Sequence, residues 1–64
     1  MIKLNGEVLK EENINLMELI KTKGFNFERI AVEVNGKIVK RGSYEEVKLK
    51  NGDKVEIVCF VGGG

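Results

Sequence analysis

Residues 13–24 read NINLMELIKTKG, and this stretch decides the fold because it carries the helical signal of a chain that otherwise alternates in the manner of strands. Leu16, Leu19 and Ile20 stand at i, i+3 and i+4 and form one apolar stripe. Asn15 is placed to cap the helix, with Glu18 as its third residue in a variant of the capping box. Ile14 before the cap and Leu19 at the fourth helical position have the spacing of a hydrophobic staple. Lys21 and Lys23 suit the negative end of the helix dipole, and Gly24 terminates it. The expectation is a short amphipathic helix of about two turns.

Working outward, MIKLNGEVLK at residues 1–10 reads as two strands joined by an Asn5-Gly6 turn. After the helix, IAVEVNGKIVKRG at 30–42 repeats the device. Ile30, Val32 and Val34 share one face, Asn35-Gly36 makes the turn, and a return strand runs through Ile38 and Val39. An irregular stretch anchored by Val47 and Leu49 leads to a turn at Asn51-Gly52-Asp53, with Asp53 completing it, and then to a last strand rich in β-formers. The order is hairpin, helix, hairpin, final strand. This predicts an α+β fold with the helix packed across one face of a mixed sheet of four to five strands, the ubiquitin-like β-grasp arrangement. Its last strand lies beside the first, in the middle of the sheet. The expected organisation is one β-grasp domain over residues 1–61 and a flexible tail, Gly62, Gly63 and Gly64.

Composition narrows the function. A protein of 64 residues buries only roughly 60% of its unfolded surface, so a deep catalytic cleft is not expected. It is 42% hydrophobic and 33% charged, within the range of globular domains. With 11 basic and 10 acidic residues, the net charge of +1 offers no field for nucleic acid or an anionic membrane surface. No apolar run approaches the roughly 20 residues of a spanning helix, and the expectation is a cytoplasmic protein, monomeric when free. One cysteine allows no internal disulfide; with no histidine, a metal site and the commonest general base are both unexpected.

The tail is where the chemistry concentrates. One reading is a loose terminus. The other starts from what glycine removes: without any Cβ, the arm threads a channel no wider than backbone, and the terminal carboxyl carbon is unshielded. A carboxylate attacks the α-phosphorus of ATP to give an acyl-adenylate, which then accepts sulfur or nitrogen. The sequence has no G-x-x-x-x-G-K-[ST] phosphate loop and is expected to bind no cofactor itself; a partner must bind the ATP.

The stretch AVEVNGKIVKRGSYEEVKLKNGDKVEIVCFVGGG at 31–64 resembles the thiamine-biosynthesis sulfur carrier family, ThiS, and MIKLNGE and the helix resemble it more weakly. The resemblance rests on Ala31-Val32, Val34-Asn35-Gly36, Arg41, Leu49, Gly52-Asp53, Val55-Glu56-Ile57 and the final glycines. Family members usually have proline where Lys40 stands and often a tryptophan near Tyr44. The resemblance implies a carrier, not an enzyme. Its Gly64 would be adenylated by a partner enzyme and converted to a thiocarboxylate with sulfur from a donor such as a cysteine desulfurase, then deliver that sulfur to thiazole synthase. Two relatives of this chemistry compete: the molybdopterin sulfur carrier, whose longer sequences often bear prolines before the last glycines, and a ubiquitin-like modifier joined to lysine. A plain interaction domain is the third alternative.

Along the last strand Val55, Ile57, Cys59 and Val61 alternate on the face expected to meet the helix, so Cys59 reads as a packed core thiol. On the opposite face Val58 and Phe60 are apolar where solvent is expected. Either they dock the adenylating enzyme and thiazole synthase, or they reflect β-propensity alone. Lys40 and Arg41 are a solvated pair or partner contacts.

Overall fold

Two of the asparagine-glycine turns explain how the protein begins to fold back on itself. Asn5 and Gly6 have φ of 50° and 87°, Asn35 and Gly36 of 54° and 83°, the double left-handed geometry that a two-residue hairpin requires. The computed structural model describes residues 1–60. The first turn joins β1 (Lys3–Leu4) to β2 (Glu7–Val8), and the second joins β4 (Ile30–Val34) to β5 (Lys37–Val39). Between them lie β3 (Asn13–Asn15) and the helix α1 (Leu16–Thr22). A 3₁₀ helix (Arg41–Glu46), β6 (Lys48–Lys50) and β7 (Lys54–Cys59) follow.

The helix is bounded by the residues expected to bound it. Asn15 Oδ1 accepts from the backbone N–H groups of Met17 at 2.9 Å and Glu18 at 3.3 Å, satisfying two donors that have no intrahelical partner. At the other end Gly24, at φ 83°, donates to the Lys21 carbonyl and Phe25 to that of Ile20, both at 3.0 Å. This is a Schellman closure, and half-buried Phe25 packs on the core just beyond it.

Leu16, Leu19 and Ile20 are fully buried in one core with Ile2, Val32, Leu49 and Val55. Met17 joins them, so the buried stripe is wider than its three-residue signature.

The main sheet has the order β2-β1-β7-β4-β5. β7 lies at its centre, parallel to β1 and antiparallel to β4. The α+β, ubiquitin-like arrangement is therefore present, with five strands in a mixed sheet and one main helix. Two features go beyond what the sequence suggested. β3 and β6 form a separate two-stranded ladder with Ile14 opposite Leu49, where irregular backbone was expected. Tyr44, on the 3₁₀ helix, is only 2% exposed and belongs to the core where that helix meets α1. Burial pushes its phenol above the ordinary range, against a smaller opposing effect of the Arg41 charge.

Cys59 corrects an expectation: it is exposed, not a packed core thiol. It does share the helix-side face with Val55 and Ile57, which are buried, but it stands one step further along β7. Seven helical residues span about 10 Å, whereas six strand residues span about 20 Å, so the helix cannot roof the whole strand.

Asp53 is buried and anchors the turn into β7. Its Oδ1 accepts from Asn35 Nδ2 at 3.0 Å and its Oδ2 from the Lys50 N–H at 2.9 Å. The Asn35 bond first, then the Lys50 N–H, hold this carboxyl below the usual aspartate range. A depressed folded pKa contributes stability that is complete above the unfolded value of about 4 and is lost as pH falls through the folded one. The urea midpoint is therefore expected to drop on acidification below about pH 4. Asp53→Asn should be weaker at neutral pH and lack that component. Parallel curves for the two proteins through the acid range would show that Asp53 does not contribute it.

Candidate functional site

β7 carries the candidate site because it runs through the sheet centre and leads toward the glycines. Alternation points Lys54, Glu56, Val58 and Phe60 to the face away from α1. The cross-strand register builds the rest of that face: Ala31 lies beside Val58, Glu33 beside Glu56, Ile38 beside Glu33, and Val8 beside Lys3. Phe60 extends the ladder past β7 by donating its N–H to the Arg29 carbonyl at 2.8 Å.

Val58 and Phe60 are exposed, at 61% and 57%, on the side predicted for them, and Ile38 is 78% exposed on the same side. Burial of such groups would gain roughly 1.5–3 kcal/mol each, and the fold leaves all three in water. Glu33 and Glu56 stand directly opposite one another, a like-charge arrangement that costs the free sheet some stability. An open depression on this face is lined by Glu33, Asn35, Gly36, Lys54 and Glu56.

The strand is held on both edges up to this point. β4 pairs with it from Val55 to Cys59 on one side. On the other, β1 turns away after Leu4, and the Asn5 amide takes over: Oδ1 accepts from the Ile57 N–H at 2.9 Å and Nδ2 donates to the Ile57 carbonyl at 3.2 Å. This amide thereby makes the pairing that a further strand residue would make. That role was not read from the sequence, where Asn5 registers only as a turn former. Ile38 was also passed over, although the two-residue turn at Asn35-Gly36 already sets it opposite Glu33.

Gly62, Gly63 and Gly64, together with Val61, lie outside the described residues, as does the expected domain boundary after residue 61. Arg41 donates from Nη1 to the Glu28 carbonyl at 3.4 Å, so one of the two undecided cations has a contact within the protein, while Lys40 is exposed. Among the described residues no three metal-ligating side chains converge, and no helix is long and apolar enough to cross a membrane.

A mixed five-stranded sheet gripping one helix on one face, with the other face of its central strand open, defines a ubiquitin-like β-grasp protein. The ThiS family profile matches residues 1–64, the whole sequence. The chain is 35% identical over 66 residues to the sulfur carrier protein ThiS of Bacillus subtilis, each covered in full. The crystal structure of ThiS from Geobacter metallireducens superposes with a TM-score of 0.77 at 34% identity, covering 98% of this chain and 97% of that one. The protein belongs to the ThiS family, the sulfur carriers of thiamine biosynthesis, which are not themselves catalysts. A thiazole synthase from Magnetococcus marinus is also similar, 44% identical over 64 residues; these cover 98% of this chain but 20% of that protein. The chain thus spans about a fifth of the length of that relative.

Proposed function

We propose that the Gly64 carboxyl is the reactive group of this carrier: a partner enzyme adenylates it with ATP, a sulfur donor such as a cysteine desulfurase supplies the sulfur, and the resulting thiocarboxylate passes it to thiazole synthase. Adenylation joins the carboxylate oxygen to the α-phosphorus and releases pyrophosphate. Attack by sulfur at the activated carbon then releases AMP. The protein's own part is to present the group, since ATP is bound by the partner and no cofactor is needed by the carrier.

The observation that carries this reading is the whole-length family match, ending on the three glycines. The occurrence of a similar segment inside a thiazole synthase adds support for that enzyme as acceptor, because domains joined in one polypeptide commonly serve one process. Val58 and Phe60 dock these partners, with Ile38 extending the apolar surface. The open face suits this because the partner can grip the central strand from the side that the helix leaves uncovered.

The test is the intact mass of the protein after incubation with ATP, an adenylating enzyme and a sulfide source, with fragmentation of the C-terminal peptide. The expected gain is that of one oxygen replaced by sulfur, localised to Gly64. No gain with an adenylating enzyme proven active on another carrier would reject the reading.

The docking surface has its own test. Phe60→Asp removes an apolar contact and puts a charge where the partner surface is dry, so affinity for the adenylating enzyme should fall by about tenfold or more. Its urea midpoint should stay near wild type, because Phe60 is 57% exposed. Unchanged affinity would remove Phe60 from the interface.

A further inference from the structure

Asparagine followed by glycine occurs three times, at Asn5-Gly6, Asn35-Gly36 and Asn51-Gly52. The pair has a reactivity as well as a turn preference, because a glycine without Cβ lets its own backbone nitrogen approach the preceding Cγ. Once that nitrogen loses its proton to base it attacks Cγ. A bond from the backbone nitrogen to Cγ forms, the bond from Cγ to Nδ2 breaks, and ammonia leaves a five-membered succinimide. Water opens the ring at either carbonyl to give aspartate or isoaspartate, so one water is consumed for each ammonia released and nothing is oxidised or reduced. Each hydrogen bond on the asparagine amide or on the glycine N–H slows the reaction, because it must open before the amide can swing or the nitrogen ionise.

The fold treats the three sites differently. Asn5 is held by both amide atoms on Ile57, at 2.9 and 3.2 Å. Asn35 is held likewise: Oδ1 accepts from the Lys54 N–H at 2.9 Å, and Nδ2 donates to Asp53 at 3.0 Å. Asn51 is exposed, and its amide has no hydrogen-bond partner among the described residues. Its turn is also of another kind. Only Gly52, at φ 101°, has positive φ, and Asp53 N–H returns to the Lys50 carbonyl at 3.0 Å. What restrains Asn51 is one bond on the attacking nitrogen, from Gly52 N–H to the Met1 carbonyl at 2.9 Å. Met1 is 59% exposed and lies ahead of β1, so that bond is less enclosed than those inside the sheet.

We infer that Asn51 is the leading spontaneous deamidation site of the folded protein, and that the bridged amides of Asn5 and Asn35 slow the other two sites while the sheet is closed. Exposure does not distinguish Asn51 from Asn5, since both are exposed; the hydrogen bonding does. An isoaspartate at 51 inserts an extra methylene into the backbone between Lys50 and Asp53. The product should therefore loosen the turn that Asp53 clamps and detach Gly52 from Met1.

The full-length protein is incubated at mildly alkaline pH, folded in buffer and unfolded in urea, and the three asparagine peptides are followed by mass for exchange of the amide NH2 for OH. In the folded protein Asn51 should convert at least about fivefold faster than Asn5 or Asn35, the weight of one fewer hydrogen bond to break. In urea the three rates should come together. Asn51→Gln should stay folded and lose the early ammonia release. Equal rates in the folded protein, Asn5 or Asn35 leading, or no conversion at Asn51 while the unfolded protein reacts would each overturn the inference.

Discussion

A protein shortened by Gly63 and Gly64 is expected to fold as the full-length form does and to lose ATP-dependent sulfur loading completely. Glycine has no side chain to bury, so its removal leaves the core of Ile2, Leu16, Leu19, Ile20, Val32 and Val55 as it was. The new terminus is still a carboxylate, so the chemistry is not removed in kind. What changes is reach: two residues span about 7 Å at full extension. A misplacement of about 1 Å at a reacting centre already costs on the order of a hundredfold, so a shortfall several times larger should leave no measurable product. Intact mass after incubation with the adenylating enzyme, ATP and sulfide reads the loss, and the urea midpoint reads the fold. Loading of the shortened form at the wild-type rate would mean that the reactive position is not set by these glycines.

Leu19→Ala is expected to unfold much of the population. Leu19 is fully buried on the sheet-facing side of α1, and removing such a group costs about 2–5 kcal/mol through lost transfer energy and the cavity left behind. Typical domains have about 0.05–0.15 kcal/mol of stability per residue, which for this length totals only about 3–10 kcal/mol. One substitution therefore removes a large fraction of it. Ile38→Ala provides the contrast, because Ile38 is 78% exposed and the change should stay within about 0.5 kcal/mol. Urea unfolding followed by circular dichroism compares the two. A cost below about 1 kcal/mol for Leu19→Ala would mean that the core collapses around the gap.

Both results bear on how the molecule divides its work. The helix-side face of the sheet holds stability, and the open face is the one proposed to meet partners. The same strand and the residue after it supply each: Val55 and Ile57 inward, Val58 and Phe60 outward. Substitutions along this segment should therefore alternate in kind, lowering stability at one position and partner affinity at the next.

The turns and helix ends were legible in the amino-acid order because their physics is short-ranged. Asn-Gly selects a left-handed hairpin turn, Asn15 caps the residues immediately after it, and Gly24 closes the helix four residues from Ile20. The outward direction of Val58 and Phe60 also followed from simple alternation, and the element order pointed to the sheet topology. The ladder of β3 and β6 was not visible, since each strand offers one apolar residue between two polar ones and the pairing joins distant segments. The Asn5 bridge to Ile57 spans 52 residues, and no local pattern encodes such a bond. Burial of Tyr44 depends on how the 3₁₀ helix sits against α1. Cys59 has the same alternation as buried Ile57, yet it is exposed because burial depends on the length of the covering helix as well as on the face a residue occupies. Sequence periodicity assigns a residue to a face; only the packed arrangement of helix and sheet sets how far along that face water is excluded.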